Sequence, residues 1–211
     1  MIIAIDGPAG AGKSTVARLL AERLAFRYLD TGAMYRALTW LAQRRELALD
    51  RADELAQLAR DYPVEFDEAG RVFIDGADVT TSIRKPRIDK LVPVVARHIA
   101  VREVMRARQR TLGEVGDVVI EGRDIGTVVA PQAQVKVYLV ADPAIRARRR
   151  AAEQPEIATD ALATDLRLRD EKDAVNMRPA EDAIEIDTSE LAVEDVVARI
   201  EQLVRTHAAP A

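Results

Sequence analysis

Apolar and polar positions along this chain follow two periods that trade places repeatedly. Ile2-Ile3-Ala4-Ile5 is an unbroken apolar run with the composition of a short buried strand, and beyond it Val16, Leu19, Leu20 and Leu24 recur at helical spacing. Arg27-Tyr28-Leu29-Asp30 reads as a second strand. Thr31 can cap a helix running to about Arg44, with Met34, Leu38 and Leu41 on its buried face. A helix of roughly ten residues starts at Asp50 or Asp53 and stops before Pro63. The period then shortens. Val64-Glu65-Phe66, Arg71 to Ile74 and Ala77-Asp78-Val79 read as three short strands joined at Glu68-Ala69-Gly70 and Asp75-Gly76, which are hairpin turn signals. From Arg87 to Gly113 the pattern predicts one or two helices, with Pro93 permitting a break. Strands follow at Val118 to Glu121, Val135 to Val140 and Ile184 to Asp187. Between the last two, helices begin at Asp142-Pro143 and span about Asp160 to Val175. A closing helix places Val193, Val196, Val197, Ile200, Leu203 and Val204 on one side. Strands alternating with helices predict an α/β fold, with a small antiparallel insertion placed to cover a substrate.

The junction of the first strand and first helix carries the clearest chemistry. Gly7-Pro8-Ala9-Gly10-Ala11-Gly12-Lys13-Ser14 matches G-x-x-x-x-G-K-[S/T], the phosphate-binding loop, in the strand–loop–helix setting that the motif requires. The glycines let backbone N–H groups wrap a phosphate, which side chains would prevent. Lys13 supplies a mobile positive charge for the β- and γ-phosphates. Ser14 opens the helix, where its hydroxyl can reach a Mg²⁺ ion and the helix N-terminus faces the anion; Thr15 is the weaker candidate for the metal.

Composition narrows the class. The 211 residues suffice for one principal domain, and 48% hydrophobic with 31% charged residues is an ordinary soluble balance. No apolar run approaches membrane-spanning length and Met1 leads directly into a strand, so the expected setting is the cytoplasm, without membrane association. The absence of cysteine removes disulfides and thiolate chemistry, and two histidines, His98 and His207, leave little for imidazole chemistry. A net charge of -4 argues against a general nucleic-acid binder. It hides an uneven distribution, because all but five of the 31 basic residues are arginine, the better residue for bidentate phosphate contacts.

Several arginines fall where chemistry is expected. In an open parallel sheet, ligands sit beyond the carboxyl ends of strands, which favours a ligand role for Tyr35 and Arg36 and for Arg123 and Asp124 in Gly122-Arg123-Asp124-Ile125-Gly126-Thr127. Arg102, Arg106 and Arg110 are spaced four apart on one helix face, with Arg108 to one side; a solvated face is the readier reading for Arg106, Arg108 and Arg110. Arg146, Arg148, Arg149 and Arg150 crowd one helix, a density that suits a mobile arm over a transferring phosphoryl group.

With GPAGAGKS, LDTGAMYR (Leu29 to Arg36), VREVMRARQR (Val101 to Arg110), EGRDIGTVV (Glu121 to Val129) and AIEIDTS (Ala183 to Ser189) in order, nearly the whole chain resembles the bacterial cytidylate kinases. The resemblance implies a P-loop kinase fold: a five-stranded parallel sheet flanked by helices, the three-stranded antiparallel insertion at about 62–80, and a short lid. It implies a core of 1–30, 100–145 and 178–211, a monophosphate-binding region of 31–99, and a lid with its adjoining helix at 146–177. The implied reaction moves the γ-phosphoryl group of ATP to CMP or dCMP, with Mg²⁺, in a monomer. Thr31, Tyr35, Arg36, Arg102, Arg123 and Asp124 fall on positions that bind the monophosphate, Asp173 on the one that holds the sugar hydroxyls, and Lys13, Arg146, Arg149, Arg150 and Arg169 on the charge-stabilising set. Three departures stand out. Val92-Pro93 replaces a small hydroxyl residue near the base, Asn176 stands where an arginine is expected after Asp173, and the segment before Ala183 is shorter than usual. Arg178 is the alternative to Asn176 through a loop shift.

Two rivals share the loop. Another small P-loop kinase, acting on a different monophosphate or on dephospho-coenzyme A, should lack Gly122-Arg123-Asp124 and the three-stranded insertion. A non-catalytic nucleotide sensor would not need Lys13, Ser14 and the arm arginines. A GTPase is disfavoured because no N-K-x-D signature occurs.

Overall fold

Strand β1 (Ile2–Asp6) is followed by α1 (Lys13–Leu24), β2 (Arg27–Asp30), α2 (Thr31–Arg44), α3 (Ala52–Asp61), β3 (Glu65–Phe66), β4 (Val72–Ile74) and β5 (Ala77–Asp78). After a 3-10 turn at Ser82–Arg84 come α4 (Pro86–Ala96), α5 (Ile99–Gly113), β6 (Val118–Glu121), a single π turn at Ile125–Val129, β7 (Val135–Val140), α6 (Pro143–Glu153), α7 (Thr159–Asp173), β8 (Ile184–Asp187) and α8 (Val193–Ala208). This computed structural model describes residues 1–173 and 177–208. The chain divides into two units, Met1–Leu29 with Val115–Ala211, and Asp30–Glu114.

In the first unit, a five-stranded parallel sheet has the order β2-β6-β1-β7-β8. Ile3 of β1 sits beside Val119 of β6 and Val135 of β7, so the first strand runs through the middle of the sheet. Its Ile3 and Ile5, with Val119, Val137 and Leu139, pack against Val16 and Leu20 of α1 and Val197 and Ile200 of α8. Each such fully buried aliphatic side chain contributes about 1.5–3 kcal/mol. That helical cover is the amphipathic face read from the closing segment.

The second unit has its own core of Met34, Leu38, Leu41, Leu55, Ile74, Ile83 and Ile88. The three short strands form the expected antiparallel sheet, β3-β4-β5. Arg108 on α5 donates from Nε to the carbonyl of Val64 at 3.3 Å, which gives this arginine a structural partner.

Three expected boundaries are corrected. Asp30 caps α2, accepting from the Ala33 N–H at 2.8 Å, and Thr31 is the first helical residue. Neither Asp50 nor Asp53 caps α3; Arg51 stands at that position with no side-chain cap bond, and Asp53 lies in the first turn. Pro93 sits inside α4, and the break falls at Arg97-His98. His98 is extended and its Nε2 lies 2.8 Å from the Leu49 carbonyl, so a tertiary contact sets the start of α5.

Backbone packing is tightest at Gly7. A Cβ built there would lie 2.2 Å from the Leu139 carbonyl oxygen, at φ +144°; at Gly70, φ +73°, nothing lies within 4 Å. Gly70→Ala is therefore expected to cost about 1–2 kcal/mol, the ordinary penalty of a left-handed L-residue. Gly7→Ala should exceed it clearly in a thermal unfolding comparison of the two variants.

Candidate active site

The phosphate-binding loop leaves β1 through Gly7 and enters α1 through Gly12, whose left-handed backbone (φ 89°) carries no side-chain cap. The first N–H groups of α1 therefore have no side chain competing for them, which is the arrangement that receives an anion. Lys13 Nζ donates to the Pro8 carbonyl at 2.8 Å, folding its charge over the loop. Ser14 Oγ donates to Glu121 Oε2 at 2.9 Å, and the Tyr28 hydroxyl donates to the other carboxylate oxygen. Glu121 ends β6 and is buried. A buried carboxylate without such donors would be costly.

Two of the four arm arginines reach the loop. Arg146 is buried, and its Nη1 donates to the Ala9 carbonyl at 3.2 Å and to Asp170 Oδ2 of α7 at 2.6 Å. Arg146 Nε and Asp170 Oδ1 are buried without a hydrogen-bond partner. Arg149 donates to the hydroxyl and carbonyl of Thr188, at 2.9 and 2.5 Å, and its Nη1 lies 3.7 Å from a Cβ built on Gly12. Thr188 in turn bonds the Ala11 carbonyl at 3.0 Å. Arg150 pairs with Glu153 at 2.7 Å and Arg169 with Asp165 at 3.9 Å, each along its own helix.

The loop after β6 packs on the same junction. Arg123 Nη1 donates to the Gly7 carbonyl at 3.1 Å and approaches Met177 Sδ at 3.2 Å; Asp124 is buried. Asp6, the last residue of β1, accepts from the N–H groups of Ile125 and Gly126, both at 2.8 Å. Burial raises the Asp6 carboxyl above its ordinary pKa and the nearby Asp124 adds to the shift, while the two backbone donors and Lys13 oppose it. Arg178 is exposed. Asn176 lies outside the described residues, and of Asp173 only the helical backbone is described.

In the second unit, Asp30 gathers the arginines. Its carboxylate pairs with Arg36 at 2.7 Å and stands 3.6 Å from Arg84. Thr31 is buried beside it and Tyr35 is half-buried. Arg102 Nη1 lies 3.5 Å from the Ala96 carbonyl.

Asp6, Asp30, Glu121 and Thr188 hold these candidates in place, and sequence reasoning assigned them no such role. A signal existed: Asp6, Asp30 and Glu121 each end a strand of the parallel sheet, and Thr188 directly follows one. Among the described residues no cluster of three or more His, Cys, Asp or Glu could hold a metal. The donor set does fit Mg²⁺, which keeps waters and substrate phosphates and needs only one or two protein oxygens. Ser14 donates its hydroxyl hydrogen bond to Glu121, so the oxygen lone pairs remain available to a cation.

A parallel sheet whose central strand feeds a glycine loop and helix, with arginines seated on that loop, defines a P-loop kinase fold. The fold is similar to shikimate kinase from Bacteroides thetaiotaomicron, with a TM-score of 0.54 and 19% identity over 97% of this chain and 98% of that one. A cytidylate kinase family model matches residues 3–206. The chain is 47% identical to cytidylate kinase of Geobacillus sp. (strain WCH70) over 96% of this chain and 95% of that protein. It is 44% identical to cytidylate kinase of Enterococcus faecalis, with the same coverage of 96% and 95%. The chain belongs to the cytidylate kinase family and is an ATP-dependent phosphotransferase. No helix among the described residues is long and apolar enough to cross a membrane.

The Tyr28–Glu121–Ser14 chain can be tested by unfolding in urea. Tyr28→Phe removes one donor to the buried carboxylate and should cost about 0.5–1.5 kcal/mol, whereas Glu121→Ala removes both side-chain bonds together and should cost about 1–3 kcal/mol. The double variant should lose less than the sum, because both changes remove the same bond.

Proposed function

We propose that the chain transfers the γ-phosphoryl group of ATP to CMP and dCMP, yielding ADP and the nucleoside diphosphate. Membership of the cytidylate kinase family supports the acceptor. The observation that carries the mechanism is the seating of Arg146 and Arg149 against the phosphate-binding loop, on the Ala9 carbonyl and beside Gly12. Guanidinium groups packed against that loop support a role in neutralising donor-phosphate charge, a task that needs no side-chain nucleophile.

An oxygen of the CMP phosphate attacks the γ-phosphorus in line, and the bond from that phosphorus to the bridging oxygen of ADP breaks. The loop amides and Lys13 hold the β- and γ-phosphates. Ser14, held by Glu121, is the residue that would bind Mg²⁺, and the chemistry a bound Mg²⁺ supplies is neutralisation of phosphate charge. Arg146 and Arg149 stabilise the transferring group, joined by Arg150 and Arg169.

On the acceptor side, Arg36 and Arg102 hold the CMP phosphate, with Thr31 and Tyr35 beside it. Arg123 and Asp124 read the cytosine edge, where a carboxylate accepts from the exocyclic amine. Asp173 holds the sugar hydroxyls, and Arg178 serves the phosphate in place of the arginine missing at position 176. The core, monophosphate-binding and lid boundaries, the monomeric state and the cytoplasmic setting belong to the same reading.

A coupled ADP-release assay with CMP, dCMP and UMP tests the acceptor. CMP and dCMP should be strongly preferred; equal turnover of UMP would remove the cytosine-reading role of Arg123 and Asp124. For the donor side, Arg149→Ala should lower kcat by roughly 10²–10³. A loss confined to KM would place Arg149 in ground-state binding instead.

A further inference from the structure

The π turn at Ile125–Val129 begins in an unusual way. Asp124 occupies its N-cap position, where an aspartate side chain ordinarily accepts a bond from the turn's first N–H groups, yet it makes no such cap bond. The carboxylate that accepts them comes from another strand: Asp6 Oδ1 takes the Ile125 N–H and Oδ2 the Gly126 N–H, both at 2.8 Å. The Asp124 carbonyl is meanwhile bonded by the N–H groups of Val128 and Val129, at 2.9 and 3.2 Å. The same loop is fixed at its start, where the Gly122 N–H reaches the Ile5 carbonyl at 3.0 Å and Arg123 the Gly7 carbonyl at 3.1 Å. Asp6 is 5% exposed, and burying a carboxylate is expensive unless its oxygens are bonded.

We infer that Asp6 is a positioning residue for acceptor recognition: by capping the turn from β1 it spares the Asp124 side chain that task and holds Arg123 and Asp124 in the geometry that reads the base. The inference rests on the proposed cytosine-reading role of that pair. Residues 5 to 7, which launch the phosphate-binding loop, thus also carry the loop that names the acceptor. A carboxylate suits the position better than an amide. It accepts from two N–H donors at once, whereas an asparagine would turn its own N–H₂ toward one of them.

The test is the specificity ratio, kcat/KM for CMP over that for UMP, measured on soluble enzyme for the wild type, Asp6→Asn and Asp124→Ala. The ratio does not depend on the fraction of folded protein, so a merely structural loss would leave it unchanged. Asp6→Asn should lower the ratio by about 10-fold or more, comparable to the loss in Asp124→Ala, while the KM for ATP stays within about threefold. An unchanged ratio in Asp6→Asn beside a collapsed ratio in Asp124→Ala overturns the positioning role alone. Unchanged ratios in both overturn the base-reading role of Asp124, and this inference with it. Asp6→Ser, smaller and still an acceptor, replaces the asparagine variant if that protein does not fold. Failure of both to fold reduces Asp6 to a structural residue and overturns the inference.

Discussion

A carbonyl oxygen of β7 occupies the space where residue 7 would carry a side chain. The 2.2 Å approach of Leu139 O to a Cβ at Gly7 lets the chain leave the central strand directly against its neighbour and turn at once into the phosphate-binding loop. Gly10 is nearly as crowded, with Arg146 Cβ 2.9 Å from its own missing Cβ. The loop is therefore wedged between a strand and a helix, backbone against backbone. Close-packed surroundings of this kind hold a loop in one shape before any ligand arrives. Preorganised N–H groups do not have to be reoriented when charge develops.

Fixed partners explain how several arginines coexist around the loop in the first unit. Arg146 is paired with Asp170, Arg149 is held on Thr188, and Arg123 lies on a backbone carbonyl of the loop. In the second unit Arg36 is held by Asp30. Each charge has a partner at fixed distance, and a guanidinium, with five donors in a planar fork, can keep one partner and still offer N–H groups to a phosphate. At Arg146, whose Nη1 bonds the loop carbonyl of Ala9, the fork is not fully used, because its Nε is buried without a hydrogen-bond partner.

Much of this was legible in the chain. The glycine loop, the parallel strands and the antiparallel insertion follow from local rules: apolar runs, helical spacing and turn residues act within a few positions of one another. The elements that misled are those governed by distant partners. Pro93 looked like a helix break, but a proline removes one hydrogen bond and α4 continues through it. The break came at His98, where contact with Leu49 fixes an extended residue. At Thr31 the error was one residue wide, because Asp30 and Thr31 are both good caps and the choice fell to the aspartate that also pairs with Arg36.

Sequence by itself determined that Gly7 to Ser14 carries the phosphate-binding-loop pattern between a strand and a helix, that the fold alternates strand and helix, and that Arg123 and Asp124 follow a buried strand, since each rests on residue type and short spacing. Only the tertiary structure decided which charges hold which. Asp6 reaches across 119 and 120 positions to Ile125 and Gly126, and Glu121 across 107 to Ser14. Those partners meet because parallel strands bring their carboxyl ends to the same edge of the sheet, and no local pattern records which strand lies beside which.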